Sequence, residues 1–153
     1  MPPAFQTAIF VCRYLEIPHL WIDSLCIEQD NKFDWDGEMP KMAYYYNNAY
    51  LTISLSSSPN STHSSLPRPP KAGRVLPLLQ PYSFVSVQKV PSHFAMSSTR
   101  FCIKTSDALP LFSRAWALQE RLLARRVLHF GPEELVWECC SLLDCECHKP
   151  PDA

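Results

Sequence analysis

The sequence predicts an α/β fold organised around a central parallel βαβ unit, and three stretches carry that prediction. Residues 20–22 (Leu-Trp-Ile) are apolar without alternation, as is typical of a strand covered on both faces, so we predict a first strand at His19–Asp23. A helix that begins near Gly37 and ends near Asn48 follows it. Tyr50–Leu55, which is β-branched at its centre, is the second strand. A strand, a helix and a strand connected at this length form a right-handed unit with parallel strands.

Two further helices flank this unit. Apolar residues recur at helical spacing over Ala4–Leu15, and Pro18 ends that segment. Leu111–Leu123 has the same periodicity, with Ser113 as its expected N-cap. We expect each helix to bury one stripe of side chains. The predicted buried residues are Phe5, Ala8, Ile9, Cys12 and Leu15 in the first helix and, in the later one, either Ala115, Leu118 and Leu122 or Trp116 and Leu123.

Additional strands are predicted in the second half of the chain. Arg126–Phe130 and Glu134–Glu138 are expected to be two strands joined by a turn at Gly131-Pro132. Alternation is weaker in Tyr82–Val90 and in Arg100–Lys104, which predicts two antiparallel or edge strands. The predicted fold is therefore α/β with a parallel centre and additional C-terminal strands.

One domain is predicted for residues 1–139, because 153 residues are the size of a single domain. Within it, residues 56–70 are rich in Ser and Pro and nearly free of apolar side chains, so we expect a mobile loop there. Residues 71–106 are irregular in pattern, and residues 28–36 are expected to form a polar loop before the second helix. Residues 140–153 are expected to be a Cys-rich tail.

The composition excludes several classes of protein. Hydrophobic residues make up 46% and charged residues 19% of the chain, which is typical of a globular protein. Because 14 basic residues stand against 15 acidic ones, we expect neither nucleic acid nor a membrane as a partner. With three glycines, no glycine-rich phosphate loop can be written. We expect neither a signal peptide nor a membrane span, and hence a cytoplasmic protein whose seven cysteines are reduced.

The predicted first strand ends at polar side chains, and such positions are good candidates for a ligand site. Asp23 and Ser24 lie there. For Asp23 two interpretations stay open: a turn or helix cap, or a ligand-orienting or acid/base group. The residues that follow include many carboxylates, and we expect most of them to be solvated or to cap a helix. If two of them were forced together in a cleft, one would have a raised pKa and could act as a general acid. These carboxylates are Glu28, Asp30, Asp34, Asp36 and Glu38.

A second group of candidate residues lies in the predicted third helix. Over about two helical turns the chain places a guanidinium, an indole, an amide and a carboxylate, a set that could bind phosphate or a carboxylate. Helical spacing puts Arg114 on one face and the other three on another, so an amphipathic core helix with structural ion pairs is the alternative. The other three are Trp116, Gln119 and Glu120.

The C-terminal cysteines raise the question of a zinc site. Their C-x-C-H spacing next to an adjacent pair is not the usual C-x₂-C arrangement, and no second well-spaced pair follows, so we predict no metal. Cys26 is expected to be a small buried residue rather than a nucleophile. The residues of the C-terminal group are Cys139, Cys140, Cys145, Cys147 and His148.

Two blocks of the sequence resemble the fungal heterokaryon incompatibility (HET) domain. The first block runs from Tyr14 to Leu55 and contains the stretch LWIDSLCIEQD at Leu20–Asp30. The second runs from Arg114 to Cys139 and begins with RAWALQERLL. Two blocks in the right order make the resemblance specific. It covers most of the chain apart from residues 56–106, where the family is also irregular.

This resemblance implies a domain of self/non-self recognition in filamentous fungi, whose activation triggers growth arrest or cell death. The family is thought to be distantly similar to TIR domains, flavodoxin-like modules of which some cleave NAD with a catalytic Glu, so a TIR/flavodoxin-like fold is expected. An NAD-hydrolysing enzyme is one alternative. A non-catalytic module that acts through protein partners or self-association is another, and an inactive truncated fragment is a third.

In the enzymatic alternative, Glu38 and Glu120 are the candidates for the catalytic carboxylate that stabilises an oxocarbenium-like centre, with Arg114 on phosphate. HET domains usually open with a strand and a Ser-Tyr-x-Trp-Gly type segment, and none precedes Ala4, so we expect that strand to be lacking. The candidate ligand-binding residues are Asp23, Ser24, Gln29, Arg114, Trp116 and Gln119, with Cys26 a further member of the motif.

Overall fold

The computed structural model of the protein describes residues 1–63, 74–77, 84–87, 110–131 and 134–146. Its α-helices are α1 (Pro3–Tyr14), α2 (Asp23–Cys26), α3 (Lys32–Glu38), α4 (Met42–Asn48) and α5 (Ala115–Leu123). Short 3₁₀ helices span Met39–Lys41 and Pro110–Ser113. Its strands are β1 (Thr52–Ser54), β2 (Arg74–Pro77), β3 (Phe84–Val87), β4 (Arg126–Phe130), β5 (Leu135–Cys139) and β6 (Leu143–Cys145).

A mixed sheet of four strands, in the order β1-β4-β5-β6, forms the centre of the described structure. β1 runs parallel to β4, with Thr52 opposite Val127, whereas β5 is antiparallel to both of its neighbours. β2 and β3 form a separate antiparallel pair. Helices combined with a mixed sheet agree with the predicted α/β class, and α5 directly precedes the second strand of the parallel pair.

The strand predicted at His19–Asp23 is not formed. In the described part of the chain these residues pair with no strand, and α2 begins at Asp23. The indole of Trp21 instead packs against the rings of Tyr45 and Tyr46, at centroid distances of 5.2 and 5.9 Å. The apolar run therefore packs on a helix, because apolar side chains fit either environment and only backbone pairing makes a strand. The parallel unit is formed by β1 and β4.

The strands predicted later in the chain are largely confirmed. β4 coincides with the predicted Arg126–Phe130, and β5 is shifted by one residue from the predicted Glu134–Glu138. β3 lies inside the predicted Tyr82–Val90, while Arg100–Lys104 lies outside the described residues. β6 pairs with β5 and places residues 143–145, from the expected tail, in the same sheet.

The polar loop predicted for residues 28–36 contains α3. Asn31 precedes this helix, and its side-chain oxygen accepts hydrogen bonds from the N–H groups of Phe33 (3.1 Å) and Asp34 (3.3 Å). An Asn N-cap starts a helix even where the following residues lack an apolar stripe. The helix predicted to begin near residue 37 is accordingly divided, because the 3₁₀ turn that carries Pro40 separates α3 from α4.

We expect Asn31→Ala to lower the free energy of unfolding by about 1 kcal/mol, because two N–H groups at the start of α3 lose their acceptor. Asn31→Ser keeps an oxygen acceptor at the same position and should remain within about 0.5 kcal/mol of the wild type. Urea unfolding followed by circular dichroism measures both. Equal losses in the two variants would show that the cap does not stabilise this helix.

Two helices agree with the prediction in position but only in part, or not at all, in the side chains that they bury. α1 lies within one residue of the predicted segment at each end, but Leu15 is exposed. α5 has Arg114 at its N-cap position instead of Ser113, and the buried residues of α5 are Ala117 and Arg121. The predicted apolar stripes of α5 are wrong. The exposed side chains of α5 are Ala115, Trp116, Leu118, Gln119 and Leu122, and the buried residues of α1 are Ala4, Thr7, Ala8, Val11 and Cys12.

The segment predicted as a mobile loop begins with packed residues. Ser56 has no exposed surface and Ser58 is buried. The N–H of Ser57 donates to the carbonyl of Phe130 at 3.2 Å, which ties this segment to β4. Residues 64–70 lie outside the described part, so mobility of the segment as a whole stays a prediction.

Candidate functional site

Two carboxylates, a phenol and a guanidinium lie where α2, α4 and α5 meet. The hydroxyl of Tyr46 in α4 and the carboxyl group of Glu120 in α5 are close enough to influence each other's ionisation. Asp23, the first residue of α2, and Arg114, just before α5, are both close enough to act electrostatically on Glu120. We call these four residues, Asp23, Tyr46, Arg114 and Glu120, the carboxylate cluster. It joins three of the residues that the sequence predicted for a site.

Local contacts hold each member of the carboxylate cluster in place. The ring of Tyr46 packs edge-on against Trp21. Nη2 of Arg114 donates to the carbonyl of Pro59 at 2.8 Å, while its backbone is extended and ends the preceding 3₁₀ turn. Oδ1 of Asp23 accepts the N–H of the next residue at 2.6 Å. Asp23 therefore closes a turn, and its charge also acts on Glu120, while its ligand-orienting or acid/base role stays a prediction.

The environment of Glu120 raises the pKa of its carboxyl group above the ordinary glutamate value. Burial is the largest cause, and the negative charge of Asp23 acts in the same direction. The polar hydroxyl of Tyr46 and the positive charge of Arg114 oppose the shift without cancelling it. Burial likewise raises the pKa of the Tyr46 hydroxyl, so this phenol stays a hydrogen-bond donor. Glu120 is consequently a poorly hydrated carboxylate, which is the property expected of a group that acts on charge or protons.

Removing the phenol should raise the pKa of Glu120 further. In Tyr46→Phe the carboxylate loses a polar neighbour that favours its charged form, so we expect its titration midpoint to move upward. Carbon-detected NMR of the Glu120 carboxyl over pH 3 to about 9 measures the midpoint. Tyr44→Phe, on the exposed side of α4, is the matched control and should leave it unchanged. A midpoint that falls in Tyr46→Phe would contradict the assigned influence of Tyr46 on Glu120.

The surroundings of Glu38, the other candidate for the catalytic carboxylate, shift its pKa in the direction opposite to the shift of Glu120. It accepts hydrogen bonds from Nζ of Lys41 and from the hydroxyl of Tyr45, both at 2.7 Å. These two bonds, that from Lys41 first, lower the pKa of Glu38, so it is held ionised. The indole of Trp21 contacts Tyr45, the partner of Glu38, as well as Tyr46 of the carboxylate cluster. Glu38 is therefore an ionised carboxylate with two hydrogen-bond donors, and a catalytic role for it stays a prediction.

The remaining candidate residues lie at the surface around the carboxylate cluster. Ser24 is exposed in α2, and Nε2 of Gln29 donates to backbone carbonyls that flank α2, Ile27 at 3.0 Å and Asp23 at 3.4 Å. Trp116 is 61% exposed and lies one helical turn before Glu120. Two further candidates, Gln119 in α5 and Cys26 in α2, are also exposed, so the expectation that Cys26 is buried is wrong.

A buried chain of polar side chains, absent from the sequence-based candidates, crosses the sheet. Glu138 of β5 accepts two hydrogen bonds from Arg121 of α5, at 2.7 and 3.0 Å. It also lies 2.9 Å from Nε2 of His129 in β4. Nδ1 of His129 is 3.3 Å from the hydroxyl of Ser56, and that hydroxyl is 2.8 Å from the hydroxyl of Ser54. We call these five residues the buried polar chain. Burial opposes ionisation of Glu138, but the hydrogen bonds from His129 and Arg121 outweigh it and lower the pKa to about 2.

The order Ser, His, Glu in the buried polar chain is that of a hydrolytic triad, but the surroundings exclude this function in the described conformation. Ser56 and His129 both have 0% exposed surface, so no substrate reaches the hydroxyl. Burial lowers the pKa of His129, and the imidazole stays neutral. The sequence contained one signal for this chain: His129 alternates with Val127 along β4, which places both on the covered face of the strand.

A cavity of about 420 Å³ adjoins the buried polar chain on the side of α5. Among the described residues no group of three His, Cys, Asp or Glu side chains is arranged to hold a metal ion. Cys147 and His148 lie outside them. In the same part of the chain no helix is both long and apolar enough to cross a membrane. The cavity is lined by Asn47, Arg121, Leu122, Leu123, Ala124, Arg125, Glu138, Cys139 and Cys140.

Comparison with known proteins confirms the resemblance found in the sequence. The family model described as heterokaryon incompatibility protein (HET) matches residues 1–120. The match extends from α1 to Glu120 and so includes all four members of the carboxylate cluster. No curated protein and no solved structure matches significantly. Because the matched segment is more than half of the 153 residues, the chain belongs to the heterokaryon incompatibility (HET) family.

Proposed function

We propose that this chain is a HET-type signalling domain of fungal self/non-self recognition that triggers growth arrest or cell death, and that the carboxylate cluster hydrolyses NAD in the manner of a TIR domain. Membership of the family supports the first part. One observation supports the second: Asp23, Tyr46 and Arg114 all act electrostatically on Glu120, which is partly withdrawn from water.

The chemistry of the carboxylate cluster suits cleavage of a bond to a ribose. When the nicotinamide ring departs, the sugar acquires oxocarbenium character, and a carboxylate with little hydration stabilises that positive charge more strongly than a solvated one. Glu120 is the residue for this role. The guanidinium of Arg114 uses one donor on Pro59 and has further N–H groups suited to phosphate. Trp116 offers an exposed indole surface one turn away for an aromatic base.

Exposed aromatic and apolar side chains favour a second candidate, a non-catalytic module that signals by self-association. Phe33 is 90% exposed, Tyr14 is 78% exposed, and the ring of Tyr14 stacks on that of Phe10 at 6.3 Å. Side chains of this kind bury surface readily when copies of a protein meet. Assembly that depends on concentration, together with indifference to substitution of Glu120, would select this candidate over the enzyme.

Induced expression in a filamentous fungus tests the proposal. Growth should stop after induction, and cellular NAD should fall before viability does. Purified protein incubated with NAD should release nicotinamide. Normal growth while the protein accumulates would reject the signalling function, because that is the result expected of an inactive fragment. Growth arrest with unchanged NAD would reject only the enzymatic part.

A further inference from the structure

The cavity of about 420 Å³ beside α5 has two adjacent cysteines in its lining. Cys139 ends β5, and Cys140 directly follows it in the connection to β6. Both carry free thiols, and Cys139 is half-buried whereas Cys140 is exposed. Small-molecule sites in proteins have volumes of about 300–1,000 Å³, and the cavity lies within that range. A small molecule that enters it therefore comes next to two cysteines.

The backbone fixes the position of Cys139. It stands directly opposite Arg126 of β4 in the antiparallel register, and residues paired in this way have Cβ atoms about 5 Å apart on one face of the sheet. The N–H of Cys139 donates to the carbonyl of Leu142 at 2.8 Å, which closes the turn that follows. The guanidinium of Arg126 is itself held in place, because Nη1 donates to the carbonyl of Tyr50 at 2.9 Å and its carbon lies 5.0 Å from the centre of that ring. Cys139 thus has a fixed cation as its cross-strand neighbour.

These surroundings favour the thiolate of Cys139, which is the form that attacks electrophiles. The polar backbone of Ser141 in the turn is the largest cause that lowers the pKa of the Cys139 thiol, and the positive charge of Arg126 acts in the same direction. Cys26 and Cys140 are more exposed than Cys139. The described cysteine whose surroundings favour attack is therefore not the most accessible one, and this difference can be measured.

The charged and polar lining of the cavity favours an anionic partner. Its one carboxylate, that of Glu138, is paired, since it accepts two hydrogen bonds from Arg121 and lies 2.9 Å from Nε2 of His129. Arg125 adds an exposed guanidinium to the lining, and Asn47 adds an amide. The N–H groups of both are suitable donors for a carboxylate. The cavity therefore suits a small molecule that carries carboxylate groups.

We propose that Cys139 is a site of thiol modification by a small disulfide that carries carboxylates, and that the disulfide docks in the cavity beside α5. The thiolate of Cys139 attacks one sulfur of the disulfide, a new S–S bond forms, and the other half leaves as a thiolate that takes a proton from water. Cys139 is oxidised and the leaving half is reduced, so the step is balanced. The proposal is independent of the function proposed above.

Glutathione disulfide, which carries carboxylates, is the probe, and hydroxyethyl disulfide is its uncharged counterpart. The reduced wild-type protein is incubated with each at neutral pH, and peptide mass spectrometry gives the rate of modification at each cysteine. With glutathione disulfide we expect Cys139 to react at least about threefold faster than Cys26 and Cys140. Equal rates, or faster reaction at the two exposed cysteines, would overturn the proposal. This measurement needs no substitution, so it decides even if a variant fails to fold.

Variants then separate the thiol from the docking site. Cys139→Ser should lose the fast modification and Cys140→Ser should keep it, and the reverse result would overturn the assignment of the thiol. Arg125→Gln should slow the reaction of Cys139 with glutathione disulfide by about two- to fivefold and leave the rate with hydroxyethyl disulfide unchanged. No slowing, or equal slowing with both disulfides, would overturn recognition of the carboxylates by Arg125. An amide spectrum verifies the fold of each variant.

Discussion

Glu120→Gln is expected to abolish growth arrest on induced expression and to lower NAD hydrolysis by about 10²–10³-fold or more, because it removes the charge that stabilises the oxocarbenium-like centre. The same substitution should not destabilise the fold. Burial makes the charged form of Glu120 unfavourable, as its raised pKa indicates, and a neutral amide keeps the shape and a hydrogen-bond acceptor at this position. Unfolding in urea and an amide spectrum distinguish loss of activity from loss of structure.

Glu38→Gln is the matched control for this prediction, since it makes the same chemical change on the other candidate. Glu38 is occupied by Lys41 and Tyr45, so we expect its amide variant to keep growth arrest. Toxicity retained in both variants would eliminate the enzymatic proposal. Toxicity lost only in Glu38→Gln would mean that the catalytic carboxylate lies on the other side of Trp21.

Glu138→Ala should be the most destabilising single change among the described residues, with a loss of about 3–5 kcal/mol in the free energy of unfolding. It leaves Arg121 buried without this acceptor and His129 without its carboxylate. Whole domains are stable by only about 5–15 kcal/mol, so this variant should be close to unfolding at room temperature. Asp30→Ala, which removes an exposed carboxylate, is the control and should change stability by less than about 0.5 kcal/mol.

The same network makes the stability of the wild type depend on pH in a defined direction. The folded-state pKa of Glu138 is lowered to about 2, so its contribution is complete above the unfolded value near 4.5 and is lost as the pH falls toward 2. The pKa of His129 is lowered as well, so stability already declines as the pH falls below its ordinary value of about 6.5. Glu120, with a raised pKa, acts in the opposite direction above pH 4.5. Urea unfolding between pH 3 and about 8 should show a net loss toward acid that is smaller in Glu138→Ala. A wild-type curve without such a loss would contradict the network.

The sequence predicted the positions of α1, β4 and β5 well because their signals are local. α1 was predicted from helical periodicity and β4 from a short apolar run, and both signals depend only on residues that are neighbours in the sequence. The strand predicted at His19–Asp23 was wrong for the opposite reason, because its apolar side chains suit either a strand or the surface of a helix. The outcome depends on the packing of Trp21 against two tyrosines of α4. α3 was missed because one side chain, that of Asn31, starts it.

The roles of the candidate site residues stay predictions. Asp23, Arg114 and Glu120 were chosen from separate segments, and the first two act electrostatically on Glu120 in the folded chain. Tyr46 was missed as a member because three consecutive tyrosines give no sequence signal for which of them faces α5. The buried polar chain was missed because the amphipathic pattern of the helix assigns Arg121 to its outer face. In addition, its partner Glu138 lies in a strand that begins 14 positions after residue 121.

The topology of the sheet also determines the order in which its strands can pair while the chain is being synthesised. Ser56 meets His129 across 73 positions of chain, and closing a loop of that length costs roughly 4 kcal/mol in chain entropy. β4 and β5 are joined by a short turn, so this hairpin forms early once both strands exist. β1 has its described neighbour only in β4, which leaves the ribosome after the whole family-matched segment. The first 120 residues therefore emerge before β1 can meet its described neighbour β4, and an unpaired strand edge exposed at that stage favours aggregation.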